Sequence, residues 1–455
     1  MYRLLNLRNI FSNNDNKIIL QNIIGTFLIR GIALIIAFFT LPAYISYFEN
    51  QNILGLWFTI LSVLTWILTF DFGIGNGLRN KLVKALVSKN KLLIKQYISS
   101  AYILIGTIII IIAVLAILFF GHINWNVVFN IPQNIVSKKI LSLTVYIVFL
   151  SIILQMFFKL INSILYALQK SALNNFLNLI TNLIIYIFVM QEINLDLSKK
   201  LILLALVYGL AINIPLLFAS IIVFNTKLKD SKPNFKYFNK KYAVEVIRLG
   251  GIFFWVQVMY MLITATNEIL ISIFTSPDMV VEYQIYNKIF TLISLIFIIV
   301  LTPIWSMVTK ALYENNYIWL KKLYTTLKVL TLLAIICQFT IILFLQLIID
   351  LWLGENAIEV NYFNAIIFAL YGGMFVWIGV LSSITNGLGQ LKIQSIFYTL
   401  AVILKIPIAW FLVTVLDSWI GVVVANLIGL SLFCIIQPLW LDKFLNMKIN
   451  LLNNK

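Results

Sequence analysis

The sequence predicts an all-α integral membrane protein with about twelve transmembrane helices, arranged in two pseudo-repeated six-helix halves around a central cavity. Three observations support this fold class: the hydropathy, the distribution of charge along the chain, and a weak internal repeat. Of the 455 residues, 62% are hydrophobic and only 11% are charged. Soluble domains carry about 25% charged residues, so this composition argues against a soluble protein.

The hydrophobic segments are each close to the ~20 residues that a helix needs to cross a ~30 Å hydrocarbon core. Several are long enough to cross the membrane at a tilt. We predict spans at residues 20–45, 53–72, 98–120, 140–167, 172–191, 201–224, 249–275, 283–308, 329–349, 360–385, 394–416 and 420–441.

Basic residues fall almost entirely on one side of these spans. Of the 29 Lys and Arg residues outside the spans, 25 lie in the terminal segments and in alternate connections, and the opposite connections hold nine of the sixteen acidic residues. The positive-inside rule then places both termini in the cytoplasm of a bacterial inner membrane. The net charge of +17 would fit nucleic-acid binding only if the basic residues formed one patch. They are dispersed among short connections, so we predict no nucleic-acid partner. Contact with anionic lipid head groups is a second role for them.

A weak duplication relates the two halves. Lys84, Ala85, Leu86, Asn90 and Lys95 match Lys310, Ala311, Leu312, Asn316 and Lys321 at an offset of 226, and Leu168, Leu173 and Asn174 lie opposite Leu388, Ile393 and Gln394 at an offset of 220. We therefore predict halves at 1–224 and 249–455, joined by a basic cytoplasmic linker at 225–248. An even number of spans in each half makes the repeats parallel.

The segment 77–97 has apolar residues at helical spacing with lysines and an arginine between them. This pattern is typical of a basic amphipathic helix at the membrane interface. It fits equally a cytoplasmic extension of a span that packs on a neighbouring helix.

Charged residues inside spans are costly, from ~2.5 kcal/mol each, and usually face a cavity or a partner. Arg30 and Lys159 lie at similar depth in the first half and have no acidic residue at their level. They predict a wet, cationic cavity, although Lys159 could also extend its side chain to the interface. In the second half, Glu268 and Lys288 are placed to form an ion pair, and Lys405 lies before Pro407 in span eleven, lining a cavity or filling a helix interface.

The chain contains no nucleotide-binding loop, metal-ligand cluster or nucleophile elbow. We therefore predict neither a cofactor nor an enzymatic activity. A membrane-embedded glycosyltransferase or polymerase is disfavoured, because the longest outer connection, 121–139, has no acidic residue.

A family resemblance follows from the end of span two, which reads Asp71-Phe72-Gly73-Ile74-Gly75-Asn76-Gly77-Leu78-Arg79-Asn80-Lys81. The glycines permit a tight exit from the membrane, and Asp71, Asn76 and Arg79 offer polar groups at the cytoplasmic mouth. This string resembles the signature of Wzx-type O-antigen and capsular polysaccharide flippases, in the multidrug/oligosaccharidyl-lipid/polysaccharide exporter superfamily. Leu41-Pro42 and Gly55-Leu56-Trp57 also look like that family.

The resemblance implies a translocator of undecaprenyl-diphosphate-linked oligosaccharide, acting ahead of a polysaccharide polymerase and chain-length regulator. It implies a cationic cavity, to which Arg30, Lys159, Lys288 and Lys405 correspond in kind only. With no ATP site, we expect coupling to a proton or sodium ion, with Glu268 as the candidate site. The alternatives are a multidrug or metabolite exporter of the same superfamily and a peptidoglycan-precursor lipid flippase; the latter usually has two additional spans.

The charge pattern makes a prediction about topology that cysteine labelling from each side of the membrane can check. A cytoplasmic position for residue 278 would contradict the model of two six-span halves. We expect cytoplasmic labelling at positions 89, 91, 236, 322 and 448, and periplasmic labelling at positions 130, 278 and 355.

Overall fold

The computed structural model describes residues 14–69, 72–129, 131–191, 193–276, 279–353 and 358–453, and these form α-helices, short 3₁₀ turns and connections. We number the helices in chain order. The first nine are α1 Asn14–Phe48, α2 Gln51–Thr69, α3 Ile74–Val87, α4 Lys91–Phe119, α5 Trp125–Val128, α6 Lys138–Phe158, α7 Leu160–Ala167, α8 Ser171–Val189 and α9 Leu197–Asn225. The next eight are α10 Lys240–Ala265, α11 Asn267–Phe274, α12 Met279–Tyr313, α13 Tyr317–Leu343, α14 Leu345–Leu353, α15 Tyr362–Leu388, α16 Lys392–Leu416 and α17 Ile420–Asn453.

The predicted fold class is confirmed. Within the described ranges, ten helical segments are long and apolar enough to cross a membrane, counting α6 with α7 and α10 with α11 as single crossings. The first two predicted spans lie in α1 and α2, where part of the side chains fall outside the described residues. In hydrocarbon, a helix satisfies its own backbone hydrogen bonds, which explains why apolar segments of this length fold as helices.

The chain divides into two compact units, Met1–Gly251 and Ile252–Lys455. In the first unit, one apolar cluster gathers around Trp57 and Phe149, and a second around Tyr97 and Ile161. The second unit also has two clusters, one around Tyr398 and Phe433 and one around Tyr286 and Phe368. Each unit therefore has its own packed interior.

The residues matched by the repeat have the same local roles in both units. Asn90 and Asn316 each cap a helix N-terminus, accepting hydrogen bonds from Leu93 N at 3.0 Å and Trp319 N at 3.2 Å. The residue before each cap, Lys89 or Asn315, has a left-handed backbone with φ of 52° or 57°. Asparagine at an N-cap satisfies a backbone N–H that the helix leaves unpaired.

The second matched pair behaves alike. Asn174 donates to Asn162 O at 3.0 Å, and its counterpart Gln394 donates to Ser382 Oγ at 2.9 Å. Residues 162 and 382 are themselves separated by the offset of 220. Shared hydrogen bonds at matched positions explain why these particular residues recur in the two halves of the sequence.

The segment 77–97 is not one continuous helix. Helix α3 ends at Val87, the left-handed Lys89 turns the chain, and α4 begins at Lys91. Within α3, Leu78 and Leu82 are fully buried. The apolar face of α3 therefore packs against protein, as the second alternative predicted; the side of the membrane on which it lies stays a prediction.

Two predicted spans are interrupted in the middle. The span predicted at 140–167 breaks at Lys159, between α6 and α7, and the span predicted at 249–275 breaks at Thr266, between α10 and α11. Neither break falls on glycine or proline, although such residues cause most sharp helix kinks. At the second break, Ile263 O accepts a hydrogen bond from the side chain of Lys405 on α16.

The predicted linker is docked on α4 of the first unit. Buried Ser99 and Ser100 accept hydrogen bonds from the backbone N–H groups of Asn234 and Asn239, both at 3.1 Å. Lys91 Nζ lies 2.8 Å from Asp230 Oδ2 and, as donor, holds the pKa of that exposed carboxyl group below its usual value. The segment is thus part of the first unit and not a free tether.

Candidate functional site

The glycines of the motif at 72–81 allow a close approach of two backbones in the first unit. Gly73 has φ of 65°, and a Cβ atom built on it would lie 2.0 Å from Gly250 O on α10. A Cβ atom on Gly77 would lie 2.3 Å from Val246 O. Only glycine fits at such distances, so the motif joins α3 to α10 and does more than turn the chain.

The polar residues of the motif reinforce the same contact. Lys81 Nζ lies 2.9 Å from Glu245 Oε2 on α10, and Tyr97 of α4 donates to the same oxygen at 2.7 Å. One carboxylate therefore ties α3 and α4 to α10. Such a charge-assisted arrangement is stronger than a hydrogen bond between neutral groups.

The predicted binding residues of this motif lie in different surroundings. Arg79 is only 3% exposed, and its guanidinium lies 4.4 Å from the centre of the Tyr166 ring on α7. A cation over an aromatic face at this distance is stabilised electrostatically. Asn76 is half-buried, and Asp71 lies outside the described residues. The contacts of Arg79 fit a role in packing, and its predicted contact with substrate stays a prediction.

Arg30 lies in α1, half-buried against α8. Its Nε donates to Asn175 Oδ1 at 3.3 Å, and Asn175 in turn donates to Thr26 Oγ1 and Ser171 O, both at 3.1 Å. The side-chain amide of Asn175 therefore holds the Arg30 guanidinium at its Nε atom. An arginine has five N–H donors, and the structure gives the other four no partner among the described residues.

Lys159 stands at the break between α6 and α7 and is half-buried. Its backbone N–H still donates to Gln155 O at 2.7 Å, and its carbonyl accepts from Asn162 N at 3.0 Å. Asn162 O is the acceptor for Asn174, the neighbour of the residue that holds Arg30. The paired asparagines at the start of α8 thus link the surroundings of the two predicted cations.

The predicted ion pair between Glu268 and Lys288 is wrong. Glu268 is exposed and accepts a hydrogen bond from Gln284, whereas Lys288 is exposed and lies 5.8 Å from the Trp352 ring centre. Lys288 lies on the same face of α12 as Gln284 but one helical turn (~5.4 Å) further along the axis, so the amide and not the lysine lies level with Glu268. Glu268 is consequently neither buried nor paired with a base.

Among the described residues of the second unit, Lys405 is the buried cation, 3% exposed on α16. Its ammonium donates to Ile263 O, to Thr266 Oγ1 at 2.8 Å and to Asn267 Oδ1 at 2.6 Å. These three oxygens surround the break between α10 and α11. Of the two predicted roles, the structure supports a place at a helix interface, because three acceptors enclose the ammonium group.

Asn267 extends this contact to three more helices. Its Nδ2 donates to Tyr283 Oη at 2.9 Å on α12 and to Tyr371 Oη at 3.2 Å on α15. Asn426 of α17 donates to Asn267 Oδ1 at 2.8 Å and to Tyr371 Oη at 3.2 Å. A buried network of this kind holds its helices in one arrangement when its members are satisfied.

A pocket of about 680 Å³ opens at the end of α1 in the first unit. Tyr47 and Tyr186 supply aromatic faces, and Gln191 and Asn194 supply amides to its wall. Lys200 also lines it, donating to Tyr47 O at 2.9 Å while Tyr47 Oη donates to Lys200 O at 3.0 Å. This reciprocal pair fixes the last turn of α1 and leaves a wall of polar and aromatic groups.

Asparagines are the residues that the sequence reasoning missed. Asn175, Asn267 and Asn426 are all buried, and each lies within or beside an apolar segment of the sequence. An amide in such a segment needs partners nearly as much as a charge does. That signal was available, and it identifies the residues that hold Arg30 and Lys405.

Solved structures with a similar fold are transporters. A crystal structure of a MATE protein in complex with MaD3S superposes with a TM-score of 0.76 at 13% identity, covering 97% of this chain and 98% of that one. The chain has the MATE fold. The Vibrio cholerae MATE transporter VcmN in its bent form superposes with a TM-score of 0.73 at 14% identity, covering 95% and 98%. A multidrug resistance MATE family transporter of the MOP superfamily gives 0.70 at 14% identity, with 97% and 98% covered.

Sequence relatives agree with the predicted resemblance to polysaccharide exporters, which is confirmed. A Salmonella typhimurium protein named "Putative O-antigen transporter" is 24% identical over 78% of this chain and 80% of its own length. A Yersinia pseudotuberculosis protein named "Putative O-antigen export protein" is 22% identical over 82% of both chains. No protein-family model matches. With the MATE fold and its long apolar helices, the chain is a multi-pass membrane protein.

The close approach of α3 to α10 predicts the effect of a single methyl group. Gly77→Ala places a Cβ atom against Val246 O and should destabilise the protein by about 1–3 kcal/mol, the usual cost of overpacking. The measurement is the thermal unfolding of the purified full-length protein in detergent.

Gly251→Ala is the matched control, because nothing lies within 4 Å of the added Cβ atom. Alanine is also the better helix former by about 1 kcal/mol, so this variant should be at least as stable as the wild type. Equal stability of the two variants would contradict the close backbone contact.

Proposed function

We propose that this chain is a flippase for undecaprenyl-diphosphate-linked oligosaccharide, the repeat unit of an O-antigen or capsule. It moves the substrate from the cytoplasmic to the periplasmic leaflet of the bacterial inner membrane by alternating access. The proposal rests mainly on one observation: among the charged residues inside the predicted spans, basic residues outnumber acidic ones. The two O-antigen relatives, each aligned over about four fifths of the chain, support it.

The diphosphate of this substrate needs a replacement for its lost hydration. Moving phosphate charge through hydrocarbon without partners costs many kcal/mol. Arg30 supplies a guanidinium whose Nε is held by Asn175, and within the part of the chain that the structure describes its other four N–H donors are not engaged. Arginine pairs with phosphate through two parallel hydrogen bonds. The geometry therefore supports Arg30 as the diphosphate-binding residue.

The oligosaccharide makes different demands. Sugar rings have apolar faces that pack on aromatic side chains and hydroxyl groups that pair with amides. The pocket lined by Tyr47, Tyr186, Gln191 and Asn194 offers both kinds of contact in the same unit as Arg30. Its volume of about 680 Å³ falls within the range of about 300–1,000 Å³ seen for ligand pockets. These residues support a carbohydrate ligand.

An exporter of organic cations would require a different set of charges. Such a ligand needs an unpaired carboxylate within the transport path. Glu268, the acid placed inside a predicted span, is exposed and accepts a hydrogen bond from Gln284, so its carboxylate does not form an enclosed anionic site. The MATE fold by itself is compatible with either substrate, so the basic residues decide the proposal in favour of an anionic one.

Translocation of this kind has no catalytic step and takes its energy from an ion gradient or from product removal. A proton or sodium ion is the coupling ion, and a polysaccharide polymerase and chain-length regulator consume the product. Both termini lie in the cytoplasm, as the basic connections indicate.

The function is tested with the purified chain in liposomes that contain undecaprenyl-diphosphate-linked oligosaccharide in one leaflet. We expect the sugar to become accessible to an impermeant glycosidase in the opposite leaflet when an ion gradient is applied. Liposomes with undecaprenyl phosphate lacking the sugar serve as the substrate control. Transport of an organic cation dye with no movement of the lipid-linked sugar would overturn the proposal in favour of a drug exporter.

Arg30 makes a separate prediction in cells. Arg30→Ala should abolish surface polysaccharide while the protein accumulates normally in the membrane, and Arg30→Lys should restore only part, because a point charge cannot replace the planar fork. Lys199→Ala is the control, since Lys199 is exposed and paired with Asp196 at 3.0 Å. Normal export by Arg30→Ala would contradict the proposed binding of the diphosphate by Arg30.

A further inference from the structure

Lys405 of the second unit is a buried cation, and each of its N–H donors has a partner. A lysine ammonium has three N–H donors, and Lys405 directs them at Ile263 O, Thr266 Oγ1 and Asn267 Oδ1. All three acceptors are neutral oxygens. The ammonium charge is therefore stabilised by three neutral oxygens placed around it and not by a carboxylate.

The surrounding titratable groups do not supply a counter-charge. The phenols of Tyr283 on α12 and Tyr371 on α15 are joined to the site through Asn267. Tyr260 on α10 and Tyr398 on α16 lie with their ring centres 5.9 Å apart. Glu268 follows Asn267 on α11, but its side chain is exposed and bonded to Gln284. Tyrosines are neutral near pH 7, so protonation of Lys405 sets the charge of this network.

We propose that Lys405 is a proton-binding site that opens and closes a contact between α16 and the break at Thr266. In the ammonium form, three hydrogen bonds hold α16 against α10 and α11. Release of one proton to water leaves two donors and a lone pair facing three oxygens, so one contact becomes repulsive. The amine then withdraws, and the carbonyl at the break loses its partner.

Two features allow the contact to rearrange. Pro407 lies two residues after Lys405 in α16 and removes a backbone hydrogen bond from that part of the helix. Asn426 Oδ1 is buried and has no hydrogen-bond partner within the described part of the chain. The network thus has a spare acceptor beside a helix that contains a proline. It reaches α12, α15 and α17 through Asn267, so one proton affects the contacts among these helices and α10, α11 and α16.

This inference deepens the proposed function by naming its coupling ion and site, and its consequence for transport rests on that function. Proton binding itself does not. Protonation biases the unit toward the closed contact, and deprotonation biases it toward the open one, which is a population shift between two arrangements. The expected coupling ion is a proton, bound by an amine, and not sodium.

The test is hydrogen exchange of peptides around Thr266 in the purified full-length protein, from about pH 6 to about pH 10 with intrinsic rates corrected. In the wild type, protection should fall by about tenfold as pH rises, because charge-assisted hydrogen bonds at the break are lost. Lys405→Arg keeps its charge over this range and should show constant protection. Lys392→Met, an exposed lysine on the same helix, should keep the wild-type profile.

Two results would overturn the proton site: constant protection in the wild type, or a Lys405→Arg profile that follows the wild type. The first result needs only the wild type, so the test remains decisive if Lys405→Arg fails to fold. In liposomes, Lys405→Arg should insert as well as the wild type, and its rate of transport of the lipid-linked sugar should fall at least tenfold. Normal transport by Lys405→Arg would overturn coupling through this residue, whereas a wild type that moves no lipid-linked sugar would overturn the proposed function and leave the proton site intact.

Discussion

Buried polar groups in an apolar membrane protein must find their partners inside the protein, and this constraint explains most of the specific contacts described above. An amide or hydroxyl group has no water to return to in hydrocarbon. Asparagine meets the constraint at both candidate sites, because one amide both donates and accepts. Asn175 joins Arg30 to Thr26 and Ser171, and Asn267 joins Lys405 to the phenols of two other helices. The cations are therefore held by neutral groups that fix position without cancelling charge.

Close packing of backbones has a different origin and a different sequence signature. The glycines of the motif let α3 approach α10 until main-chain atoms touch, and Glu245 then accepts hydrogen bonds from two neighbouring helices. Small residues at helix contacts are typical of membrane proteins, since the approach itself supplies dispersion energy that lipid would otherwise provide. The sequence suggested that the motif at 72–81 offers polar groups at the opening of a cavity. In the folded chain, this motif forms the contact between α3 and α10 within the first unit.

The sequence was sufficient for the spans and for the presence of intramembrane charges, because hydropathy and burial cost depend on composition alone. It was insufficient for the partners of those charges. Glu268 and Lys288 lie at suitable depth on consecutive helices, yet Gln284 occupies the position that faces Glu268. Depth read from the sequence is accurate only to within one helical turn (~5.4 Å), and a difference of one turn along α12 decides whether Gln284 or Lys288 meets Glu268. The breaks at Lys159 and Thr266 were missed for a related reason: no glycine or proline marks them, and at Thr266 a tertiary contact from Lys405 satisfies the carbonyl of Ile263.

The two units use the same repeated framework but satisfy their cations to different degrees. Arg30 has one of five donors engaged by the described residues, so its remaining capacity is suited to a ligand that arrives and leaves. Lys405 has all three donors engaged, so a further ligand would have to displace an existing bond. An unsaturated guanidinium suits recognition of an anion, and a saturated ammonium suits a change in its own protonation. If both proposals hold, the first unit recognises substrate and the second binds the proton. This division follows from counting donors against acceptors and requires no difference in overall architecture between the repeats.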